Sequence, residues 1–157
     1  MTKKTTEFDM LRDIREFHEK FGLSYDGKPR VLPVEINRFR VRFMREEVDE
    51  YEDASDAMHQ ALSQPGLFGP PPIAEHLERG FDALIDEIYV AIGTLYLHGF
   101  TPEMIREGWR RVHKANMAKE RATRAEQSKR GTTFDVIKPE GWTAPNHRDL
   151  VEDHAHQ

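Results

Sequence analysis

IAEHLERGFDALIDEIYVAIGTLYLHG, residues 73–99, carries the clearest apolar stripe in the chain. Its apolar residues recur at Leu77, Phe81, Leu84, Ile88, Ala91 and Leu95, the three-and-four spacing of one face of an α-helix. The spacing predicts a long helix over about 73–98 with that line as its core stripe, and Gly99 ends it.

The neighbouring text sorts itself around this helix. QPGLFGPPP at 64–72 holds four prolines and two glycines, a density that excludes regular structure and predicts a loop. A long helix is expected before it, over about 34–61. A loop over 24–33 and a first helix over 6–21, striped by Leu11, Ile14, Phe17 and Phe21, precede that. On the other side, Thr101-Pro102-Glu103 supplies an N-cap, a proline at the first helical position and an acid in the first turn. These start a fourth helix over about 102–126, striped by Ile105, Trp109 and Val112. From Gly131 the periodicity stops, and TTFDVIKPEGWTAP reads as a short extended segment closed by a Pro-Glu-Gly turn. The expectation is an all-α bundle of four principal helices with an irregular C-terminal segment. It forms one domain over 1–145, followed by a loose polar tail over 146–157.

Composition narrows the function classes. The 157 residues are 38% apolar and 32% charged, with no cysteine and a net charge of −5. That length is one domain's worth, able to hide roughly 70% of the surface its unfolded chain exposes. Thiolate metal sites, disulfides and a cysteine nucleophile are excluded. No apolar run approaches the roughly 20 residues of a membrane span, and MTKKTTEFDM lacks the apolar core of a signal peptide. A cytoplasmic protein without membrane partners is expected. The negative balance argues against a general polyanion binder.

The chemistry is expected where core stripes turn polar. On the second helix Phe39 and Phe43 are read as the inward face, and Glu46, Glu47 and Glu50 continue it one turn on, side by side at i, i+3 and i+4. Carboxylates beside a core repel one another unless cations hold them. EEVDEYED contains six acids in eight residues, so some of them face water. On the third helix Asp82 and Asp86 stand one turn apart, and Tyr89 and Gly93 continue their line. Gly93 costs roughly 1 kcal/mol of helix propensity, which calls for close helix approach or ligand room. Acids from two helices supply the all-oxygen shell that Mg2+ or Mn2+ prefers. On the fourth helix Asn116 and Lys119 extend the Ile105, Trp109, Val112 stripe, a neutral donor and a cation suited to phosphate oxygens.

These residues carry a resemblance. The ordered blocks REFHEKFGL (15–23), EEVDE (46–50), DALID (82–86), DEIYVAIGTLYLHGF (86–100), VHKANMAKERA (112–122) and DVIKPEGW (135–142) resemble the all-α nucleoside triphosphate pyrophosphohydrolase superfamily. Within it they look like the MazG-like and phosphoribosyl-ATP-pyrophosphohydrolase-like enzymes, and more narrowly a branch found in bacteriophages. In that family an EExxE motif is followed by ExxD on the next helix. Here Ala83 stands in place of the second motif's glutamate, and Asp82, four residues before Asp86, is on the side able to replace it.

The resemblance implies hydrolysis of a nucleoside triphosphate to the monophosphate and pyrophosphate, with more than one Mg2+ or Mn2+ ion. It implies a homodimer or homotetramer, and for the phage branch a deoxypurine substrate, dGTP or dATP, in nucleotide-pool control. Glu47, Glu50, Asp82 and Asp86 are then the metal ligands, Glu46 or Glu47 the proton acceptor, and Asn116 and Lys119 the phosphate grip. For the base, His18 and Phe21 are the candidates; His18 is equally readable as a core histidine. Two rivals remain: a nucleic-acid-binding module using Arg38, Arg40, Arg42 and Arg45 or the basic run after Lys119, and a catalytically inactive regulator of the same fold.

Overall fold

The computed structural model of the protein describes residues 8–23, 26–63 and 73–152. Five helices and a two-stranded ribbon are present among them: α1 (Met10–Lys20), α2 (Val34–Ser63), α3 (Ile73–Leu97), α4 (Pro102–Met117), β1 (Glu120–Arg121), β2 (Val136–Ile137) and α5 (Asp149–Glu152). The architecture is all-α, as the sequence predicts. The expected loop at 64–72 lies outside the described residues. Among the described residues no helix is long and apolar enough to cross a membrane.

The chain divides into two compact units, Met1–Gly99 and Phe100–Gln157. In the first, α2 and α3 run antiparallel: Gly80 lies against Ala54, whereas Gly93 lies against Arg40. Positions that rise along α2 therefore meet positions that fall along α3. The seam is made by small side chains that let two backbones approach. α2 buries Arg40, Glu47 and Ala54, seven residues apart, and α3 buries Gly80, Ala83, Val90, Gly93, Tyr96 and Leu97.

Helix α1 is capped by Asp9, whose carboxylate accepts from the N–H groups of Leu11 at 3.1 Å and Arg12 at 3.3 Å. It is fastened to α3 by Ile14 and His18, both buried, and by the Tyr96 hydroxyl, which donates to the Leu11 carbonyl at 2.7 Å. Gly99 closes α3 at φ +85°, where a side chain would also collide with the Lys28 carbonyl.

The structure corrects the direction of the core stripe on α3. Leu77, Phe81, Leu84, Ile88 and Leu95 are all exposed, Phe81 to 66%. Helical periodicity identifies an apolar face without saying what covers it, and the face packed on α2 is the one with small residues. On α2 the inward line is likewise Arg40, Glu47 and Ala54 rather than Phe39 and Phe43; Phe39 is exposed.

In the second unit, α4 starts on the Thr101 cap as expected, its hydroxyl accepting from the Met104 N–H at 3.2 Å. It ends at Met117 rather than near residue 126. The chain after it is drawn into the antiparallel β1–β2 ribbon, where Ala122 donates to the Asp135 carbonyl at 3.0 Å. The Asp135 carboxylate also gathers the Ser128 hydroxyl at 2.7 Å and Arg130 at 2.8 Å. These partners are remote from the helix ladder, so local propensity does not reveal them. The Pro-Glu-Gly turn is present, with the Trp142 N–H donating to the Pro139 carbonyl at 3.1 Å. Part of the expected loose tail is held: Asp149 on α5 forms a bidentate pair with Arg111 of α4 at 2.6 and 2.7 Å.

Candidate active site

Glu47 is the centre of the acidic cluster. It projects from the buried line of α2 and is 6% exposed, two turns from Arg40 on one side and from Ala54 on the other. Its flanking acids Glu46 and Glu50 are exposed, as are Asp82 and Asp86 across the seam on α3. Burial pushes the Glu47 carboxyl above its ordinary range, and the charges of Asp86, Glu50, Glu46 and Asp82 push it the same way. The five acids read from the two motifs therefore share one electrostatic neighbourhood. Among the described residues none of them is in an ion pair with a lysine, arginine or histidine.

Ala83 explains the shape of the cluster. It is buried in the α2–α3 seam, at the position where the second motif would carry its glutamate, and Asp82 beside it faces solvent. The donor chemistry is that of a hard divalent cation, oxygen throughout. The carboxylates do not close on one point, however: among the described residues no three Asp, Glu or His side chains are grouped tightly enough to hold an ion.

Helix α1 brings a second polar group into the same unit. His18 is 2% exposed and its Nδ1 has no hydrogen-bond partner. Its Nε2 lies 3.0 Å from where a Cβ on Gly93 would stand, and Arg40 Nη2 lies 3.1 Å from the same point. Gly93 thus leaves room for an imidazole and a guanidinium against α3, the close approach its helix cost implies. Arg40 Nε donates to Thr94 Oγ1 at 2.9 Å and Nη2 to the Val90 carbonyl at 2.6 Å, while the guanidinium also lies 5.4 Å from the centre of the Phe43 ring. Burial lowers the pKa of His18, and the neighbouring Arg40 charge lowers it further.

Sequence reasoning missed Arg40 as an interior residue and grouped it with the exposed arginines of α2. The available signal was its spacing of seven from Glu47 and of fourteen from Ala54. Phe21, by contrast, is 58% exposed, packed on Phe17 at 4.7 Å between ring centres, with the Lys20 ammonium 5.2 Å from its ring centre.

The two phosphate candidates belong to the second unit, and neither continues a buried stripe. Asn116 is exposed in the last turn of α4. Lys119 follows the Ala118 cap, half-buried, with its ammonium 5.7 Å from the centre of the Trp142 ring. The stripe they were read from is open as well, with Trp109 74% exposed.

A model of the phosphoribosyl-ATP pyrophosphohydrolase family matches residues 14–116. The match takes in both acidic motifs, His18 and Arg40, and ends at Asn116, short of Lys119. No match to a curated protein is found.

Proposed function

The chain belongs to the phosphoribosyl-ATP pyrophosphohydrolase family, within the MazG-like all-α superfamily of pyrophosphohydrolases, and from that membership we propose the specific reaction: metal-dependent hydrolysis of a nucleoside triphosphate to the nucleoside monophosphate and pyrophosphate. The observation that carries this reading is Glu47, a glutamate set in the buried line of α2 whose carboxylate has four like charges about it. Such an arrangement is costly to the fold without a cation and is characteristic of functional sites.

Glu47, Glu50 and Asp86 are the proposed holders of Mg2+ or Mn2+, with Asp82 taking the part that Ala83 cannot. When bound, more than one such ion would neutralise the phosphate oxygens and acidify the attacking water. The chain's own contribution is positional and protic. The α2–α3 seam fixes Glu47 between rigid backbones, while the exposed Glu46, Glu50, Asp82 and Asp86 have rotameric freedom to turn toward an ion. Glu46 or Glu47 is the proposed acceptor of the water's proton, and Glu46 is the one of the two not engaged as a proposed metal ligand. Asn116 and Lys119 are the proposed grip on the phosphate tail.

The exposed line Leu77, Phe81, Leu84, Ile88 on α3 supports self-association, because a contiguous apolar face of this kind is normally covered. A deoxypurine triphosphate, dGTP or dATP, is the substrate to examine first, on the resemblance to the phage branch.

The test is a panel of ribo- and deoxyribonucleoside triphosphates incubated with Mg2+ or Mn2+, with products resolved by chromatography. Monophosphate and pyrophosphate should form with metal, stop with chelator, and disappear in Glu50→Gln at limiting metal. Release of inorganic phosphate instead, or wild-type turnover by Glu50→Gln, would overturn the assignment.

A further inference from the structure

The second unit contains a cleft of about 380 Å³ between α4 and the segment 141–146. Arg110, Arg111 and Lys114 line it from the helix and Trp142 from the other side, and no acid is among the lining residues. Arg111 ties the two walls together. Its Nη1 donates to the Asn146 carbonyl at 2.7 Å, its guanidinium pairs with Asp149, and its Nε donates to Glu107 at 2.7 Å. The Trp142 indole N–H donates to the Ala115 carbonyl at 2.8 Å, which fixes the ring against the helix.

Positive charge gathers around this indole beyond what the unit neutralises. The ammonium groups of Lys138 and Lys119 lie 4.4 and 5.7 Å from the ring centre. Glu107 and Asp149 engage Arg110 and Arg111. Lys114, Lys119 and Lys138 have no ion pair among the described residues. Arg110 uses Nε and Nη2 on Glu107 and keeps Nη1 for another acceptor. The cleft's own cations are Arg110, Arg111 and Lys114 on an acid-free wall, with Lys119 and Lys138 against the indole outside the lining, a setting that favours an anion with several oxygens. The volume is in the range of a small-molecule site, and a fixed indole offers a flat face for a ring.

We propose that this cleft binds a phosphate group carried by a small molecule, with Lys114 and Arg110 as its ligands and Trp142 at its wall. The group can come from a nucleoside phosphate or from inorganic pyrophosphate. Its recognition uses no carboxylate and so requires no divalent cation.

Trp142 is the natural reporter, since the chain has two tryptophans and Trp109→Phe leaves it alone. The full-length Trp109→Phe protein is titrated in EDTA with inorganic pyrophosphate, AMP and adenosine, following Trp142 fluorescence and, in parallel, heat by calorimetry. Pyrophosphate and AMP should bind saturably and adenosine should not. Tighter binding of AMP identifies a nucleotide source, and tighter binding of pyrophosphate an inorganic one. The doubly substituted Lys114→Ala, Arg110→Ala protein should weaken both by about tenfold or more, with its melting temperature recorded to establish that it is folded. Lys114→Glu alone gives the same readout if the double variant is unstable. No saturable phosphate binding, unchanged affinity in the folded variants, or binding of a single-stranded oligonucleotide without either small anion would overturn the proposal. Because EDTA is present throughout, failure here leaves the metal-dependent hydrolysis untouched, and failure of that hydrolysis leaves this result standing.

Discussion

The two seam glycines of α3 should respond in opposite ways to the same substitution. Gly80→Ala places its Cβ 3.7 Å from the Ala54 Cβ and the Tyr51 Cδ2 and 3.8 Å from the Met58 Cε, ordinary contact distances. The gain in helix propensity, about 1 kcal/mol, should then be realised almost whole. Gly93→Ala places its Cβ 3.0 Å from His18 Nε2 and 3.1 Å from Arg40 Nη2. Neither neighbour can yield freely: His18 is almost wholly buried, and Arg40 is bonded to Thr94 and Val90 of the same helix it would have to leave. Overpacking of this kind costs about 1–3 kcal/mol, which offsets the propensity gain and leaves a net loss of up to about 2 kcal/mol. At about 2–4 °C per kcal/mol for a chain of this size, Gly80→Ala should melt a few degrees above wild type and Gly93→Ala a few degrees below. Differential scanning calorimetry of both proteins measures this directly. If Gly93→Ala also melts higher, the imidazole and guanidinium have slack, and the reasoning about a tight seam fails.

Three further outcomes follow from the structure. The His18 pKa is lowered in the fold, so below its ordinary value of 6.5 the unfolded chain takes up a proton that the folded chain resists. The melting temperature should fall as pH drops from that value through the folded pKa, and His18→Gln should flatten this dependence; an equal slope in both proteins would show that His18 is not its source. Lys119→Ala should lower kcat/KM about 10- to 100-fold, a loss of about 1.4–2.8 kcal/mol of transition-state stabilisation, with circular dichroism unchanged; unaltered kinetics would leave the side chain a role against Trp142 alone. Analytical ultracentrifugation should find an oligomer that Phe81→Glu with Leu84→Glu disrupts, and a strictly monomeric wild type would remove the proposed role of the exposed α3 face.

The helices were legible because their punctuation is local. Thr101-Pro102, Gly99 and the alternating loss and return of helical spacing mark boundaries that depend on a few neighbouring residues. The inward direction was not local. On α3 the sequence offers two usable faces, one of bulky aliphatic residues and one of Gly80, Ala83, Val90 and Gly93. Burial went to the second because small residues allow α2 to approach. The end of α4 was hidden for a related reason. No glycine or proline interrupts the sequence between Met117 and Gly131, and the stop comes from pairing with Val136 and Ile137 and from the partners of Asp135. The acidic motifs were legible because three-and-four spacing brings carboxylates together on any helix. Arg40 was not, since a buried arginine reads as a surface residue until its partners on another helix are known.

The buried line of α2 then separates the needs of the fold from those of the site. Ala54, fully buried, is what close packing asks for. Arg40 is charged, but α3 accepts two of its hydrogen bonds and the Phe43 ring faces its guanidinium, so much of its lost hydration is replaced. Glu47 is held differently: among the described residues no protein hydrogen bond or ion pair reaches its side chain, its carboxylate oxygens keep their contact with solvent, and the charges that act on it are of its own sign. A leucine at that position would contribute about 1.5–3 kcal/mol by burial where the carboxylate costs stability. Packing alone therefore does not account for a glutamate in that register, whereas a cation drawn to five oxygen-bearing side chains would supply the missing counter-charge.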